Sequence, residues 1–171
     1  MVIQNSDITL GLVVEHQSDR GIFSVTEIDP SERLVLSPIT GEDTRVIAKE
    51  LLRRSYRQLN EDGFKSKGFR DPAILTSWVN TAPLRLIFAI LVDAGTTQIK
   101  ERDFRSKIEK LLPAGLSWKS WWDRVYPLAV NERPSFRIRA KSWSLAPNHK
   151  PPSDISLPER LLNEEVKTKR P

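Results

Sequence analysis

The chain has 171 residues, with 27 Lys/Arg against 22 Asp/Glu for a net charge of +5, and its 39% apolar and 29% charged residues suit one or two small globular domains. It has no cysteine, which excludes a disulfide framework and a Cys-based zinc site, and its two histidines, His16 and His149, are too few for an ordinary structural metal site. The start, MVIQNSDITL, lacks the features of a signal peptide, and the longest apolar run (LIFAILV, residues 86–92) is far short of the roughly 20 residues of a membrane helix. The expectation is therefore a cytoplasmic protein with no membrane contact.

Along the first third, Ile8, Leu10, Leu12 and Val14 alternate with Thr9, Gly11 and Val13, the period of a half-buried strand. A polar turn over 16–21 leads to a second strand at 21–28. A turn at Asp29-Pro30-Ser31-Glu32 leads to a third at 33–37, and Thr40-Gly41-Glu42-Asp43 to a fourth at 44–48. Such a meander removes its open edges by curling into a small barrel. Residues 48–59 (AKELLRRSYRQL) switch to helical period, with Leu52, Tyr56 and Leu59 on one side and Arg53, Arg54 and Arg57 on a charged outer face. The next stretch, 60–71, is rich in Gly, Lys and Asp and reads as a linker between two units, with Lys65, Lys67 and Arg70 either solvated, as such linkers usually are, or touching nucleic acid.

The remainder is mainly helical. Asp71 caps and Pro72 opens a helix through 73–80; Pro83 opens a second, 84–95, which Gly95 ends. A third spans 100–112, with Phe104, Ile108, Leu111 and Leu112 as its apolar stripe. Ser117 caps a fourth at 118–126, which Pro127 interrupts. Residues 135–145 alternate again, placing Phe136, Ile138 and Ala140 on one face and Arg137, Arg139, Lys141 and Trp143 on the other. Helices followed by a β-ribbon are the order of a winged helix–turn–helix domain. The last segment, 148–171, is rich in proline and charge, holds at most a short helix near 158–166, and reads as a flexible tail. The expected architecture is thus α+β: a small antiparallel SH3/Tudor-like barrel with a connecting helix (5–59), a linker (60–71), a winged-helix-like domain (72–147) and the tail.

Charge and aromatics concentrate in one place. Residues 116–150 hold four of the five tryptophans and seven Lys/Arg against two acids, as much excess charge as the whole chain. A basic, aromatic-rich segment is a footprint of polyanion binding. Trp118, Trp121, Trp122 and Val125 share one helical face, which either packs as core or leaves Trp121 or Trp122 exposed to stack on a base or partner. Arg137, Arg139 and Lys141, on one strand face, are either a solvated edge that discourages aggregation or a wing laid along phosphates. Lys119 and Arg124 on the preceding helix extend this set, while Asp123 opposes it.

Two resemblances bear on function. Gly11-Leu12-Val13-Val14-Glu15-His16, the Arg20-Gly21-Ile22-Phe23 strand start and the hairpin around Gly41 resemble the small barrels of RNA-polymerase-associated proteins of the CarD-like group. Trp118-x-x-Trp121-Trp122, Leu128 and Arg133-x-x-Phe136 resemble a region found upstream of the Gre-type domain in fused bacterial transcript-cleavage-factor proteins. The acid-tipped helical hairpin of a Gre-type factor is absent from this sequence, so the second resemblance implies association with transcription or DNA, without cleavage.

No Cys nucleophile, Gly-rich phosphate loop, His/carboxylate cluster or paired-acid motif is present, so no catalysis, cofactor or small-molecule substrate is expected. The leading expectation is a non-enzymatic protein that contacts duplex DNA through Lys119, Arg124, Arg137, Arg139 and Lys141 and a protein partner through the barrel. The alternative is a protein–protein adaptor in a larger assembly, docking through Trp143 and the tail residues Leu157, Leu161 and Leu162.

Overall fold

The structure, a computed structural model, describes residues 3, 8–39, 43–139 and 141–152. Residues 40–42 of the expected third turn, Ala140, and the tail from 153 onward, where a short helix is expected near 158–166 and which holds Leu157, Leu161 and Leu162, lie outside the described residues. The fold is α+β and divides into two compact units, Met1–Glu61 and Asp62–Pro171. Among the described residues no helix is long and apolar enough to cross a membrane.

The first unit is a curled antiparallel sheet of five strands: β1 (Val13–His16), β2 (Ile22–Ile28), β3 (Arg33–Pro38), β4 (Arg45–Ala48) and β5 (Tyr56–Gln58), in the order β4-β3-β2-β1-β5. Alternation places Phe23, Val25, Leu34 and Leu36 inward, where they form the core with Leu12, Val14, Leu52 and Tyr56. The two outer strands approach each other. Arg45 on β4 donates from Nη1 to the Tyr56 hydroxyl on β5 at 3.3 Å, and its Nη2 lies 2.9 Å from Asp19 Oδ2 in the β1–β2 turn.

Two expectations for this unit are corrected. The first strand begins at Val13, because Gly11 turns the chain with φ of +80° and throws Leu10 into solvent at 65% exposure. The expected helix at 48–59 ends early: α1 spans Lys49–Ser55, and Tyr56–Gln58 become β5. The open edge of β1 claims those residues, with Glu15 opposite Arg57. The Glu15 carboxylate is buried and accepts from Arg57 Nε at 2.6 Å, so the pairing supplies charge as well as backbone hydrogen bonds.

In the second unit, α2 (Phe64–Arg70) occupies most of the stretch expected as linker. Its Ser66 is buried, and a Cβ on Gly68 would lie 2.9 Å from Leu75 Cδ1, so that glycine serves close helix packing. Next come α3 (Pro72–Thr81), with Asp71 capping Ala73 N at 3.0 Å, and α4 (Pro83–Ala94), ended by Gly95 at φ +60°. Then β6 (Ile99–Lys100), α5 (Glu101–Ile108), a 3₁₀ turn (Glu109–Leu111), α6 (Trp118–Asn131), β7 (Phe136–Arg139) and β8 (Ser142–Leu145) complete it. Strands β6, β8 and β7 form one sheet in that order.

Helix α6 runs through Pro127 to Asn131, four residues past the expected interruption, because Val125 and Ala129 hold its last turns in the core. Trp118, Trp121, Trp122 and Val125 are all buried, so the tryptophan face is core and neither Trp121 nor Trp122 is displayed. One indole has a further task. The Val79 carbonyl, near the end of α3, would ordinarily accept from the amide four residues on, but that residue is Pro83, which has none. Trp121 Nε1 donates to it instead, at 2.8 Å across the buried interior.

Candidate nucleic-acid interface

The β7–β8 hairpin follows directly from the alternation of residues 136–145, but with a turn inside it. Arg139 pairs with Ser142, Ile138 with Trp143 and Arg137 with Ser144, and Lys141 sits in the turn at φ 64°. Reversal at that turn inverts the parity of the second half. Trp143 therefore lies on the face of Ile138 and not on that of the arginines.

This corrects the expectation of Trp143 as an exposed docking anchor. It is 2% exposed, within 6.2 Å ring to ring of Phe104, Trp122, Tyr126 and Phe136. An indole so enclosed is a core element.

The opposite face of the sheet is polar and basic. β6 pairs with β8 through Ile99 opposite Trp143 and Lys100 opposite Ser142. A single row across the three strands thus reads Lys100, Ser142, Arg139, and the next reads Ser144, Arg137. Arg137 and Arg139, two residues apart on one strand, are separated by about 6.6 Å, and Lys100 lies two strand spacings, roughly 10 Å, from Arg139. All three cations are exposed, as is Lys141 at the hairpin tip, and none of the four is in a salt bridge among the described residues. Among the described residues no acid stands at these strand positions.

Of the five residues expected from sequence to bind nucleic acid, the structure brings Arg137 and Arg139 together, with Lys141 at the end of the same hairpin. It does not gather Lys119 and Arg124 into one patch. Five residues apart on α6, they point about 140° from each other, on opposite flanks of the buried tryptophan face. Arg124 is also half-buried. The residue missed is Lys100: a two-residue strand has no periodicity to read, and the sequence assigns it to the following helix.

Between α6 and the hairpin lies a cleft of about 430 Å³ over Trp122 and Trp143, whose exposed rim is formed by Glu101, Asp123, Tyr126 and Lys141. Two carboxylates there repel phosphate, so the exposed flank of α6 facing this cleft is poorly suited to entering a DNA groove. On the other side of β7 a groove of about 800 Å³ runs past Arg133, Arg137 and Lys150. Comparison of the chain with protein-family models, with curated proteins and with solved structures gives no match.

Proposed function

We propose that the second unit is a nucleic-acid-binding module of winged-helix type that lays its hairpin along duplex phosphates, and that the first unit, an SH3/Tudor-like barrel, engages a protein partner in the transcription apparatus. The observation that carries the nucleic-acid reading is the outer sheet face: Lys100, Arg137 and Arg139 in register, with Ser142 and Ser144 between them and no acid among the described strand residues. The element order α4-β6-α5-α6-β7-β8, with strands arranged β6-β8-β7, supports the winged-helix reading. The β4-β3-β2-β1-β5 order and the Arg45–Tyr56 contact between the outer strands support the barrel.

Contact through the hairpin, with Asp123 and Glu101 beside α6, implies backbone recognition with little base readout. The role is non-catalytic. The test is binding of the full chain to a fluorescent 20-bp duplex, wild type against Arg137→Gln/Arg139→Gln. The reading requires the double variant to lose at least tenfold in affinity at about 50 mM salt while its circular dichroism is unchanged. Equal affinity would remove the hairpin from the interface.

The adaptor reading retains one supporting observation, in the first unit. Val46 on β4 is 64% exposed and Leu51 on α1 is 45% exposed, large apolar side chains of the kind a partner covers. Recovery of a stoichiometric protein partner after nuclease treatment favours that role for the barrel; loss with nuclease disfavours it.

A further inference from the structure

Among the described residues strand β7 is one edge of its sheet, and its hydrogen-bonding pattern can be worked out from its ends. Ala146 N donates to Ser135 O at 3.0 Å, while Ser135 N donates to Glu132 O at 3.1 Å; by the period of two, Arg137 and Arg139 spend their backbone groups on β8. Phe136 N turns the other way and donates to Glu132 O at 3.0 Å. What faces outward along the edge is therefore the Phe136 carbonyl and both backbone groups of Ile138.

The 800 Å³ groove runs along this edge. Its apolar surface comes from Val130, which is 37% exposed on the last turn of α6, with Pro134, Ile138 and Pro147. Its charged lining among the described residues is Arg133, Arg137 and Lys150, with the Asn148 amide, and the half-buried Glu132 carboxylate lies 3.3 Å from the Ser135 hydroxyl. Ser135 fixes one wall: its buried hydroxyl donates to the Lys150 carbonyl at 2.8 Å, holding the 146–150 segment against the start of β7.

We propose that this groove takes an extended acidic segment of a partner protein, which adds to β7 as a fourth strand. Its backbone would pair with Ile138 and the Phe136 carbonyl, its alternate apolar side chains would lie on Val130 and the prolines, and its carboxylates would meet Arg133, Arg137 and Lys150. Three lining cations, against the one half-buried Glu132 carboxylate among the described residues, set the sign of the occupant. The available edge groups set its extended form. A nucleic-acid strand would use the cations but leave those edge groups and the apolar floor unused. The proposal shares Arg137 with the DNA reading and is distinguished from it by Arg133 and Lys150, which are not in the strands of the sheet.

The experiment is a fluorescence-anisotropy titration of the full chain with a labelled ten-residue peptide alternating Glu and Val. The controls are the same peptide with alternate backbone nitrogens methylated, its Lys/Val counterpart, and the 20-bp duplex. The proposal expects the acidic peptide to bind in the range of tens to hundreds of micromolar, and at least tenfold weaker binding by the methylated and basic peptides. Arg133→Gln/Lys150→Gln should weaken the acidic peptide at least tenfold and the duplex less than threefold. No acidic-peptide binding at millimolar protein, or equal binding of the methylated peptide, overturns strand addition. A variant that loses duplex affinity while keeping peptide affinity assigns the groove to nucleic acid and overturns the proposal.

Discussion

Replacing Trp121 with Phe removes the hydrogen bond from α6 to the Val79 carbonyl near the end of α3. The Val79 carbonyl has no alternative partner in its own helix, because Pro83 stands where the donor would be. Leaving it buried and unpaired costs about 1–3 kcal/mol. The smaller ring also leaves a void of roughly 40 Å³, worth about 1 kcal/mol at ~24 cal/mol per Å³. Together these destabilise the second unit by about 2–4 kcal/mol, or a fall of roughly 1–2 M in urea midpoint at a slope of about 2 kcal/mol per M. All five tryptophans lie in this unit, so fluorescence follows its unfolding alone in the full chain. Trp122→Phe is the control: it removes similar volume from the same cluster without a hydrogen bond to a helix end. If Trp121→Phe is no more damaging than Trp122→Phe, the capping role of the indole is wrong.

Trp143→Ala should destabilise the second unit by about 3–5 kcal/mol, as removal of a fully enclosed aromatic does, whereas an exposed docking residue would cost under 0.5 kcal/mol in the same urea titration. Arg57→Ala leaves the Glu15 carboxylate buried without its cross-strand cation; since Arg57 is itself 41% exposed and water can enter, the expected loss is about 2–3 kcal/mol of first-unit stability by far-UV circular dichroism. The Gly21 amide and the Arg45 guanidinium hold the Asp19 carboxyl at about 2, below its ordinary 3.8. A depressed carboxylate contributes stability that is complete above about pH 4 and lost as pH falls from there through 2. The Asp19 carboxyl carbon should titrate near 2 by NMR, and the stability gap between wild type and Asp19→Asn should close across that window; titration near 3.8 would show that those hydrogen bonds do not persist in solution.

Where the chain was legible, single residues carried local physics. Asp71-Pro72, Pro83, Gly95 and Ser117 mark helix ends that stand where capping chemistry puts them, and the strands expected at 21–28 and 33–37 are β2 and β3 to within a residue at one end. Failures came where tertiary pairing outweighed local pattern. Leu52, Tyr56 and Leu59 fit a helical stripe, yet the bare edge of β1 draws Tyr56 into a strand. Gly68 resembles linker composition because close helix packing and flexibility both call for a missing side chain.

The candidate interface failed in one informative respect. No Gly, Asn or Pro stands between Arg139 and Ser142, so residues 135–145 read as one unbroken strand, and the positive φ of Lys141 was invisible. Missing that turn exchanged the faces of everything after it. It placed Trp143 with the arginines and hid the serines that flank them. Arg137 and Arg139 precede the turn and were read correctly as sharing a face.

The salt dependence of duplex binding tests the central claim most directly. If Lys100, Arg137, Arg139 and Lys141 each neutralise a phosphate, log affinity should fall against log salt with a slope of about −3.6, a loss of roughly 150-fold between about 50 and 200 mM. Lys100→Gln, at the position found only through the sheet register, should reduce that slope by close to one unit. A wild-type slope near zero, or an unchanged slope in Lys100→Gln, would contradict a phosphate-binding face on this sheet.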